Sequence, residues 1–313
     1  MVKKLLVLSV LLLVASLTAC SGFCQSPEIT LDVVYGHADG VDLKLDLARP
    51  RCGTGPFPAV VCIHGGAWQG GSKTDFRGQI KQFAENGYVA ASVEYRMAPA
   101  HKWPAEIEDV KCSVRYLRAH AGELNIDPDW IFVTGASAGG HLALLLGLTD
   151  PKDGLEGSGG YPEQSSRVRA VANFFGPTDM RQWSIQAPEG TPEHAAALEN
   201  TRLILENFLG TSDRNAPVVA EASPITHLDA GDSPIITFHG DKDDIVPVEQ
   251  ARLLHAALEK AGVRQKLVVM GGEGHGWNEA KMNGSLREAL TFFGAHTADW
   301  KRFVSAMKKG CGG

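Results

Sequence analysis

The chain has 313 residues, of which 44% are hydrophobic and 21% are charged, and its formal net charge at pH 7 is −6. This composition is typical of a folded globular protein with a full hydrophobic core, and the sequence shows no repeat and no low-complexity tract. An acidic chain without a clustered basic stripe repels phosphate backbones, so we expect no nucleic-acid partner.

The N-terminus has the pattern of an export signal. A short basic region precedes an apolar run from Leu5 to about Ala19, which is shorter than a typical membrane span. The stretch "LTAC", which ends at Cys20, resembles the lipobox of bacterial lipoproteins. That resemblance implies a signal peptide over 1–19, a lipid on Cys20 and a tether over 20–28. We therefore expect an exported protein held to a bacterial membrane by its lipid anchor alone, or otherwise a secreted one.

The chain contains 6 cysteines. Lipidation of Cys20 would leave an odd number, so at least one thiol would be free or would pair with another chain. No cysteine spacing suits a zinc site, and we expect neither a metal nor an organic cofactor. Cys62 in an apolar strand and Cys112 on a predicted helix are typical of core packing. Export would permit a disulfide, whose pairing the sequence leaves open.

The predicted domain, residues 29–305, begins with two strands, "ITLDVVYG" and "VDLKLDLARP". Apolar residues alternate in the second, which is typical of a half-buried antiparallel strand. From "FPAVVCI" onward, strands with the continuous apolar character of full burial alternate with helical patterns. The later strands are "YVAASVEY", "WIFVTG", "VRAVANFFG", "PIITFHG" and "KLVVMGG", and the helices cover 76–86, 104–120, 138–148, 247–261 and 285–294. This order predicts an α/β fold with a mostly parallel, doubly wound sheet and antiparallel N-terminal strands.

Two segments interrupt the alternation of strands and helices. Residues 150–166, "DPKDGLEGSGGYPEQSS", are predicted to form a mobile loop. Residues 177–229 are too long for a simple connection and carry a short helical pattern near Leu203 to Leu209, so we expect them to form a small cap insertion. Residues 306–313 are predicted to be a C-terminal tail.

Ser137 lies at a turn between a predicted strand and a predicted helix, in "GASAG". A serine hydroxyl becomes a useful nucleophile when a base removes its proton and the backbone holds its oxygen clear. A sharp strand-to-helix turn achieves the second condition, but it tolerates only small residues two positions on either side. Gly135 and Gly139 meet that need, so Ser137 is predicted to be a nucleophile.

The sequence "HGGAW" directly follows a buried strand. Its two glycines allow main-chain amides to approach a ligand with no side chain in the way. Attack by a serine turns a carbonyl oxygen into an oxyanion, which fixed backbone donors stabilise. The predicted donors are the amides of Gly65 and Gly66, together with that of Ala138.

Five motifs in this order make the chain resemble the α/β-hydrolase superfamily over residues 30 to 300. They are "HGGAW", "EYRMAPAHKWPAEIEDV", "GASAGG", "HGDKDDIVP" and "GHGW". Within the superfamily the chain is similar to hormone-sensitive-lipase-like and feruloyl/acetylxylan-esterase-like carboxylesterases. Ala136 stands where many lipase-like relatives carry an acidic residue, which favours the second group. The resemblance also implies that His64 orients its loop and is not the base.

The resemblance implies a base and an acid later in the chain, since this fold has the order serine, acid, histidine. His275 follows the last predicted strand, at the sheet edge where active sites of open α/β sheets collect. Three carboxylates follow "PIITFHG", and similarity to the H-G-x-x-D-x-x-V-P pattern selects Asp243, with Asp244 as the alternative. Asp243 would hold His275 in one tautomer and stabilise the imidazolium.

Aromatic residues flank the predicted site. Trp68 and Trp277 are expected either to wall the substrate pocket or to pack in the core. Phe175 and Asp179 leave a strand at the same edge of the sheet and are candidates to face the substrate. A buried ion network beneath the site is expected from three residues: Glu94, Arg96 and Asp109.

The pattern as a whole predicts a serine hydrolase that cleaves carboxylic esters through an acyl-enzyme. Family analogy suggests small-molecule or polysaccharide-linked substrates, such as acetyl or feruloyl esters of plant polysaccharide. One alternative is a serine peptidase of the prolyl-oligopeptidase kind, although the length leaves no room for a propeller domain. Another is a catalytically inactive surface binding module, although no residue of the triad is missing. The acyl and alcohol specificity, the mobility of the cap and the oligomeric state stay open.

Overall fold

The computed structural model describes residues 26–296. The predicted signal peptide, the lipidation of Cys20 and the C-terminal tail therefore lie outside the described residues. None of the helices within 26–296 combines the length and the apolar character that crossing a bilayer requires.

One mixed sheet of eight strands forms the centre of the fold, in the order β1-β2-β4-β3-β5-β6-β7-β8. The first two strands form an antiparallel hairpin, and β2 also pairs antiparallel with β4. Every later pairing is parallel. The strands are β1 Glu28–Ala38, β2 Val41–Arg49, β3 Phe57–Ile63, β4 Val89–Val93, β5 Ile126–Ala136, β6 Val171–Phe174, β7 Ile235–Gly240 and β8 Gln265–Met270. The predicted α/β fold with antiparallel N-terminal strands is confirmed.

Helices cover both faces of the sheet, which explains the continuous apolar runs of its central strands. Every residue of β3 and of β4 is buried. Helices α2, α4 and α7 contribute to the core on one face, and α1 and α8 contribute to the core on the other. The helices are α1 Arg77–Glu85, α2 Ala105–Ala119, α3 Ala121–Leu124, α4 Ala138–Leu148, α5 Pro192–Leu209, α6 Pro217–Glu221, α7 Glu249–Ala261 and α8 Glu279–Ala295. Strands buried on both faces need apolar residues at every position, not at every second one.

Two helices are longer than the sequence predicts because local caps extend them. Helix α5 begins at Pro192, where the Thr191 side chain accepts a hydrogen bond from the His194 amide. Helix α8 begins at Glu279, where the Asn278 side chain accepts from the Lys281 amide. Such caps satisfy amides that the first turn of a helix leaves without partners.

The segment 150–166 is anchored to α2, in contrast to the mobile loop expected from its composition. Glu156 accepts hydrogen bonds from Lys111 at 2.7 Å and from Arg115 at 2.9 Å. Both cations lie on α2 and are buried, and Leu155 is buried beside them. A buried cation needs a paired anion, so the loop is held at its middle.

The expected ion network contains Arg96 and Asp109, with Asp39 and Glu108 as further partners of Arg96 and without Glu94. The guanidinium of Arg96 donates to both oxygens of Asp109 at 2.7 to 3.0 Å, and both side chains are buried. Glu94 instead accepts from the amide of Lys73 at 3.2 Å. Among the cysteines, Cys62 and Cys112 are buried free thiols, as expected from their positions, and Cys52 is disulfide-bonded.

Glu106, on α2, is a buried acid with no hydrogen-bond partner for either carboxylate oxygen among the described residues. Burial raises the pKa of Glu106 to about 9, because the ionised form would lose its hydration. The carboxyl group is therefore protonated at neutral pH in the folded protein.

Replacing Glu106 by Gln should make folding stability less dependent on pH. The unfolded chain releases this proton near its ordinary pKa of about 4.3, whereas the folded chain keeps it, so the parent loses stability as pH rises from about 4.5 towards 9. Between pH 5 and pH 8 this loss is up to about 4 kcal/mol, and Glu106→Gln should remove it. Urea unfolding at the two pH values measures the difference. Parallel stability curves for parent and variant would contradict the assignment.

Candidate active site

Ser137 occupies the turn between β5 and α4 in a backbone conformation that non-glycine residues rarely adopt. Its φ is 55° and its ψ is −122°. A Cβ atom at Gly135 would lie 2.2 Å from the carbonyl oxygen of Gly139, and a Cβ atom at Gly139 would lie 2.1 Å from that of Ile63. Only glycine fits at these two positions, and the turn they permit raises the Ser137 hydroxyl above the carboxyl edge of the sheet.

Three side chains from separate strand ends form a continuous hydrogen-bonded chain. The Nδ1 atom of His275 lies 2.8 Å from Oδ2 of Asp243, and its Nε2 atom lies 2.9 Å from Oγ of Ser137. An ionised carboxylate can only accept a hydrogen bond, so Nδ1 carries the ring proton and Nε2 accepts from the serine hydroxyl. The structure thus brings together the three residues predicted as nucleophile, base and acid.

Asp243 is surrounded by donors that keep it ionised. Its Oδ1 atom accepts from the amides of Ile245 at 3.0 Å and Val246 at 2.9 Å. Its Oδ2 atom lies 3.4 Å from Nε2 of His239, which donates to the carbonyl of Val246 at 2.6 Å. Burial raises the pKa of Asp243, but the nearby imidazoles of His239 and His275 and the hydrogen bond from the Val246 amide outweigh burial and lower the pKa to about 2. A fixed negative charge therefore faces His275 at neutral pH.

Of the other carboxylates in the same loop, Asp241 accepts instead from the amide of Gly272 at 2.7 Å. Asp244 is exposed. Sequence reasoning missed His239, because its position at the end of an apolar strand is equally typical of a core residue. Its signal in the sequence is the first position of the H-G-x-x-D-x-x-V-P pattern, four residues before Asp243, to which no role was assigned.

The loop after β3 brings Gly65 beside the nucleophile, with Gly66 next in the chain. A Cβ atom at Gly65 would lie 2.8 Å from the carbonyl oxygen of Ala136 and 3.2 Å from Cβ of Ser137. Neither the amide of Gly65 nor that of Gly66 has a hydrogen-bond acceptor within the part of the chain that the structure describes. The amide of Ala138, at the first position of α4, is likewise left unpaired by its helix. Three amides in the described part of the chain are thus left without an acceptor, and two of them, those of Gly65 and Ala138, adjoin Ser137.

His64 supports this loop and does not reach Ser137. Its Nδ1 atom donates to the carbonyl of Gly65 at 2.8 Å, and its ring stacks on Tyr95 with centroids 4.4 Å apart. The Tyr95 hydroxyl donates in turn to the carbonyl of His64 at 3.1 Å. Burial lowers the pKa of His64, so the ring is neutral at neutral pH. These contacts fit the orienting role that the family resemblance implies.

Among the predicted pocket residues, Phe175 contacts the base and Trp277 packs on Phe175. The ring of Phe175 is 4.7 Å from that of His275 and 5.4 Å from that of Trp277. Trp68, for which two roles were expected, packs in the core: it is 1% exposed and stacks on Phe208 of α5 at 4.2 Å.

Asp179, the other candidate to face the substrate, is buried and its carboxylate is engaged by its neighbours. Its carboxylate accepts from Arg181 at 2.8 and 2.9 Å and from Gln182 at 2.9 Å. The structure offers no candidate metal site near these residues: over residues 26–296, no group of three or more His, Cys, Asp or Glu side chains is arranged to hold an ion.

The chain matches two families of known proteins. It matches the BD-FAE family over residues 45–258 and the dienelactone hydrolase family over residues 207–310. The first match covers well over half of the chain and includes the turn at Ser137, the loop at Gly65 and the acid Asp243.

Curated relatives of the chain include esterases of Mycobacterium tuberculosis. Esterase LipC is 34% identical over 270 residues, which are 83% of this chain and 63% of LipC. The probable carboxylic ester hydrolase LipM is 36% identical over 231 residues, which are 70% of this chain and 48% of LipM. The chain thus spans between about half and two thirds of the length of these relatives.

Solved structures with the same fold include a truncated carbohydrate esterase from gut microbiota. The two share 27% identity with a TM-score of 0.72 over 86% of this chain and 96% of that one. A thermophilic esterase of Thermogutta terrifontis, solved with propionate, is 32% identical with a TM-score of 0.67 and covers 86% of this chain and 94% of its own. The same esterase has been solved phosphorylated by paraoxon, at 30% identity and a TM-score of 0.66.

Replacing Gly139 by Ala should destabilise the fold, because the new methyl group would collide with the main chain at the end of β3. We expect a loss of at least about 2 kcal/mol in the free energy of unfolding. Gly78→Ala is the matched control, since Gly78 is exposed on α1 with no atom within 4 Å of its Cβ position. It should leave stability equal or raise it by up to about 1 kcal/mol. Equal unfolding curves for the two variants would contradict the close contact.

Proposed function

Because the chain belongs to the BD-FAE family of α/β-hydrolase carboxylesterases, we propose that it hydrolyses carboxylic esters through an acyl-enzyme formed on Ser137. The observation that carries the proposal is the unbroken hydrogen-bonded chain from Asp243 through His275 to Ser137. A serine hydroxyl bonded to a base, with the base oriented by an acid, is the arrangement that activates a nucleophile.

In acylation, Ser137 Oγ forms a bond to the carbonyl carbon of the ester while Nε2 of His275 takes the hydroxyl proton. The carbonyl oxygen becomes negative and accepts from the amides of Gly65, Gly66 and Ala138. The bond from the carbonyl carbon to the alcohol oxygen then breaks, and His275 gives its proton to the leaving alcohol. The acyl group remains on Ser137.

Deacylation repeats these steps with water as the nucleophile. His275 takes a proton from water as the water oxygen bonds to the acyl carbon, and the same amides hold the second oxyanion. The bond to Ser137 breaks, the serine recovers its proton from His275, and the carboxylic acid leaves. In both halves the ionised Asp243 stabilises the imidazolium that forms.

The proposed substrates are acetyl or feruloyl esters of plant polysaccharide. A carbohydrate esterase among the structural neighbours supports the polysaccharide side, and the propionate bound to the Thermogutta terrifontis esterase supports a short acyl group. Phe175 lies against the ring of His275, and Trp277 packs on Phe175, which gives the site an aromatic wall next to the base. Such a wall suits an apolar acyl or aryl group.

Replacement of Ser137 by Ala should abolish both hydrolysis of p-nitrophenyl acetate and labelling by a fluorophosphonate probe. Asp243→Asn should lower kcat by roughly a thousandfold or more, because the imidazolium loses its counter-charge and His275 its tautomer. Asp244→Asn is the matched control: it removes a charge from the adjacent, exposed residue and should leave kcat within about twofold. Labelling or turnover by Ser137→Ala at the parent rate would refute the mechanism.

A substrate panel tests the proposed specificity. Acetate release from acetylated xylan, or ferulate release from methyl ferulate, should be faster than hydrolysis of a long-chain aryl ester such as p-nitrophenyl palmitate. Release of the acid is measured by chromatography. Preference for the long-chain ester would contradict the substrate class, and cleavage of aminoacyl-proline amides alone would indicate a peptidase. Saturable binding of xylan without turnover would indicate a binding module.

A further inference from the structure

The loop that carries the Gly65 and Gly66 amides continues into two strained residues. Ala67 has a φ of 53° and Trp68 a φ of 61°, both in the left-handed region that disfavours side chains with a Cβ atom. Two such residues in succession persist only where surrounding contacts hold them. The side chain of Trp68 is the part of this segment with the most extensive contacts.

Trp68 is fixed at its ring face and at its single polar atom. The ring is 1% exposed and lies flat on Phe208, with centroids 4.2 Å apart and an angle of 5° between the planes. Its Nε1 atom donates a hydrogen bond to Nδ1 of His141 at 3.2 Å. The stack fixes the plane of the indole, and the hydrogen bond fixes its position within that plane.

His141 connects Trp68 to the helix that carries the nucleophile. It lies one turn after Ser137 on α4, and its amide donates to the carbonyl of Ser137 at 3.0 Å. The ring is completely buried, and its Nε2 atom donates to the carbonyl of Ala222, just after α6, at 2.7 Å. His141 therefore joins three parts of the molecule. They are helix α4, which begins just after Ser137, the loop of Gly65 and Gly66 (the oxyanion loop), and the insertion after β6.

The two partners of His141 allow only one protonation state. An indole N–H can only donate and a carbonyl can only accept, so Nδ1 must be bare and Nε2 must carry the proton. Burial lowers the pKa of His141 to about 4, so the neutral ring that satisfies both partners is the stable form at neutral pH. His141 is thus neither a base for Ser137 nor a surface group.

We propose that His141 is a positioning residue which, through Trp68, sets the distance between the Ser137 hydroxyl and the amides of Gly65 and Gly66. The inference rests on the proposed function, since this distance matters only if those amides hold an oxyanion. Stabilisation of an oxyanion depends on donors placed at hydrogen-bonding distance from a charge that exists only in the transition state. Loosening the loop should therefore lower kcat and leave KM almost unchanged.

The test removes the hydrogen bond from each side and combines the two changes. Trp68→Phe keeps an aromatic ring for the stack on Phe208 but lacks the N–H, and His141→Leu lacks the acceptor. Each should lower kcat for p-nitrophenyl acetate about tenfold, with KM within about twofold. The double variant should be no slower than His141→Leu alone, because both changes break the same contact. Rates are counted per active site titrated with a fluorophosphonate, so unfolded protein does not contribute.

Two further variants separate positioning from general stability. His141→Asn can place its side-chain oxygen near the position of Nδ1 and accept from Trp68, so it should recover part of the lost kcat. His255→Leu is the matched control: it removes a buried histidine ring whose Nδ1 atom lies 2.6 Å from Oε1 of Gln265, on α7 and away from the loop of Gly65 and Gly66. Its kcat per titrated site should stay within about twofold of the parent, whatever its melting temperature.

The outcomes distinguish this inference from the proposed function. An active parent, an inactive Ser137→Ala, and full kcat per titrated site in both Trp68→Phe and His141→Leu would overturn the positioning role alone. Additive losses in the double variant would also overturn it. Should His141→Leu fail to fold, the comparison of Trp68→Phe with His141→Asn still tests the role, since only the former lacks the hydrogen bond. Activity that survives Ser137→Ala would overturn the proposed function itself.

Discussion

The close approach of the turn at Ser137 to the end of β3 is the constraint on which the rest of the site depends. A Cβ atom at Gly139 would lie 2.1 Å from the carbonyl oxygen of Ile63, and one at Gly65 would lie 2.8 Å from that of Ala136. These contacts hold together the segments that follow the neighbouring strands β3 and β5. They bring the Ser137 hydroxyl and the loop of Gly65 together at the carboxyl edge of the sheet, where ligands of open α/β sheets bind.

The insertion after β6 contacts both the loop that follows β3 and the loop that carries Asp243. On one side, Phe208 stacks on Trp68, and Asn207 donates to Gln69 at 2.7 Å. On the other side, the indole of Trp183 donates to the carbonyl of Ile245 at 2.9 Å, next to Asp243. The insertion therefore braces the loop of the oxyanion donors and the loop of the acid at once, so changes in it can reach the chemistry without a contact to the substrate.

The sequence was sufficient to predict features that depend on local pattern. Continuous apolar runs indicated the buried strands, and the small residues around Ser137 indicated the turn. The predicted bounds of helix α4, residues 138–148, match the structure. His275 could be selected because it follows the last strand between two glycines, and similarity to known motifs selected Asp243 over Asp244.

Features that depend on pairing between distant parts of the chain could not be predicted. The segment 150–166 looked mobile because the partners of Glu156 lie on α2, more than 40 residues away in the chain. Glu94 was assigned to the wrong network for the same reason. His141 and His239 each lie in an apolar element, where a histidine is typical of the core. The contact of His141 with Trp68, and that of His239 with Asp243, became visible only in the structure.

That Ser137 is the nucleophile activated by His275 is tested most directly by finding which residue a fluorophosphonate modifies. After a brief reaction with a fluorophosphonate, the protein is digested and the modified peptide is sequenced by mass spectrometry. We expect a single adduct on Ser137, formed at a rate that falls by several orders of magnitude in His275→Ala. An adduct on another residue, or labelling of His275→Ala at the parent rate, would contradict it.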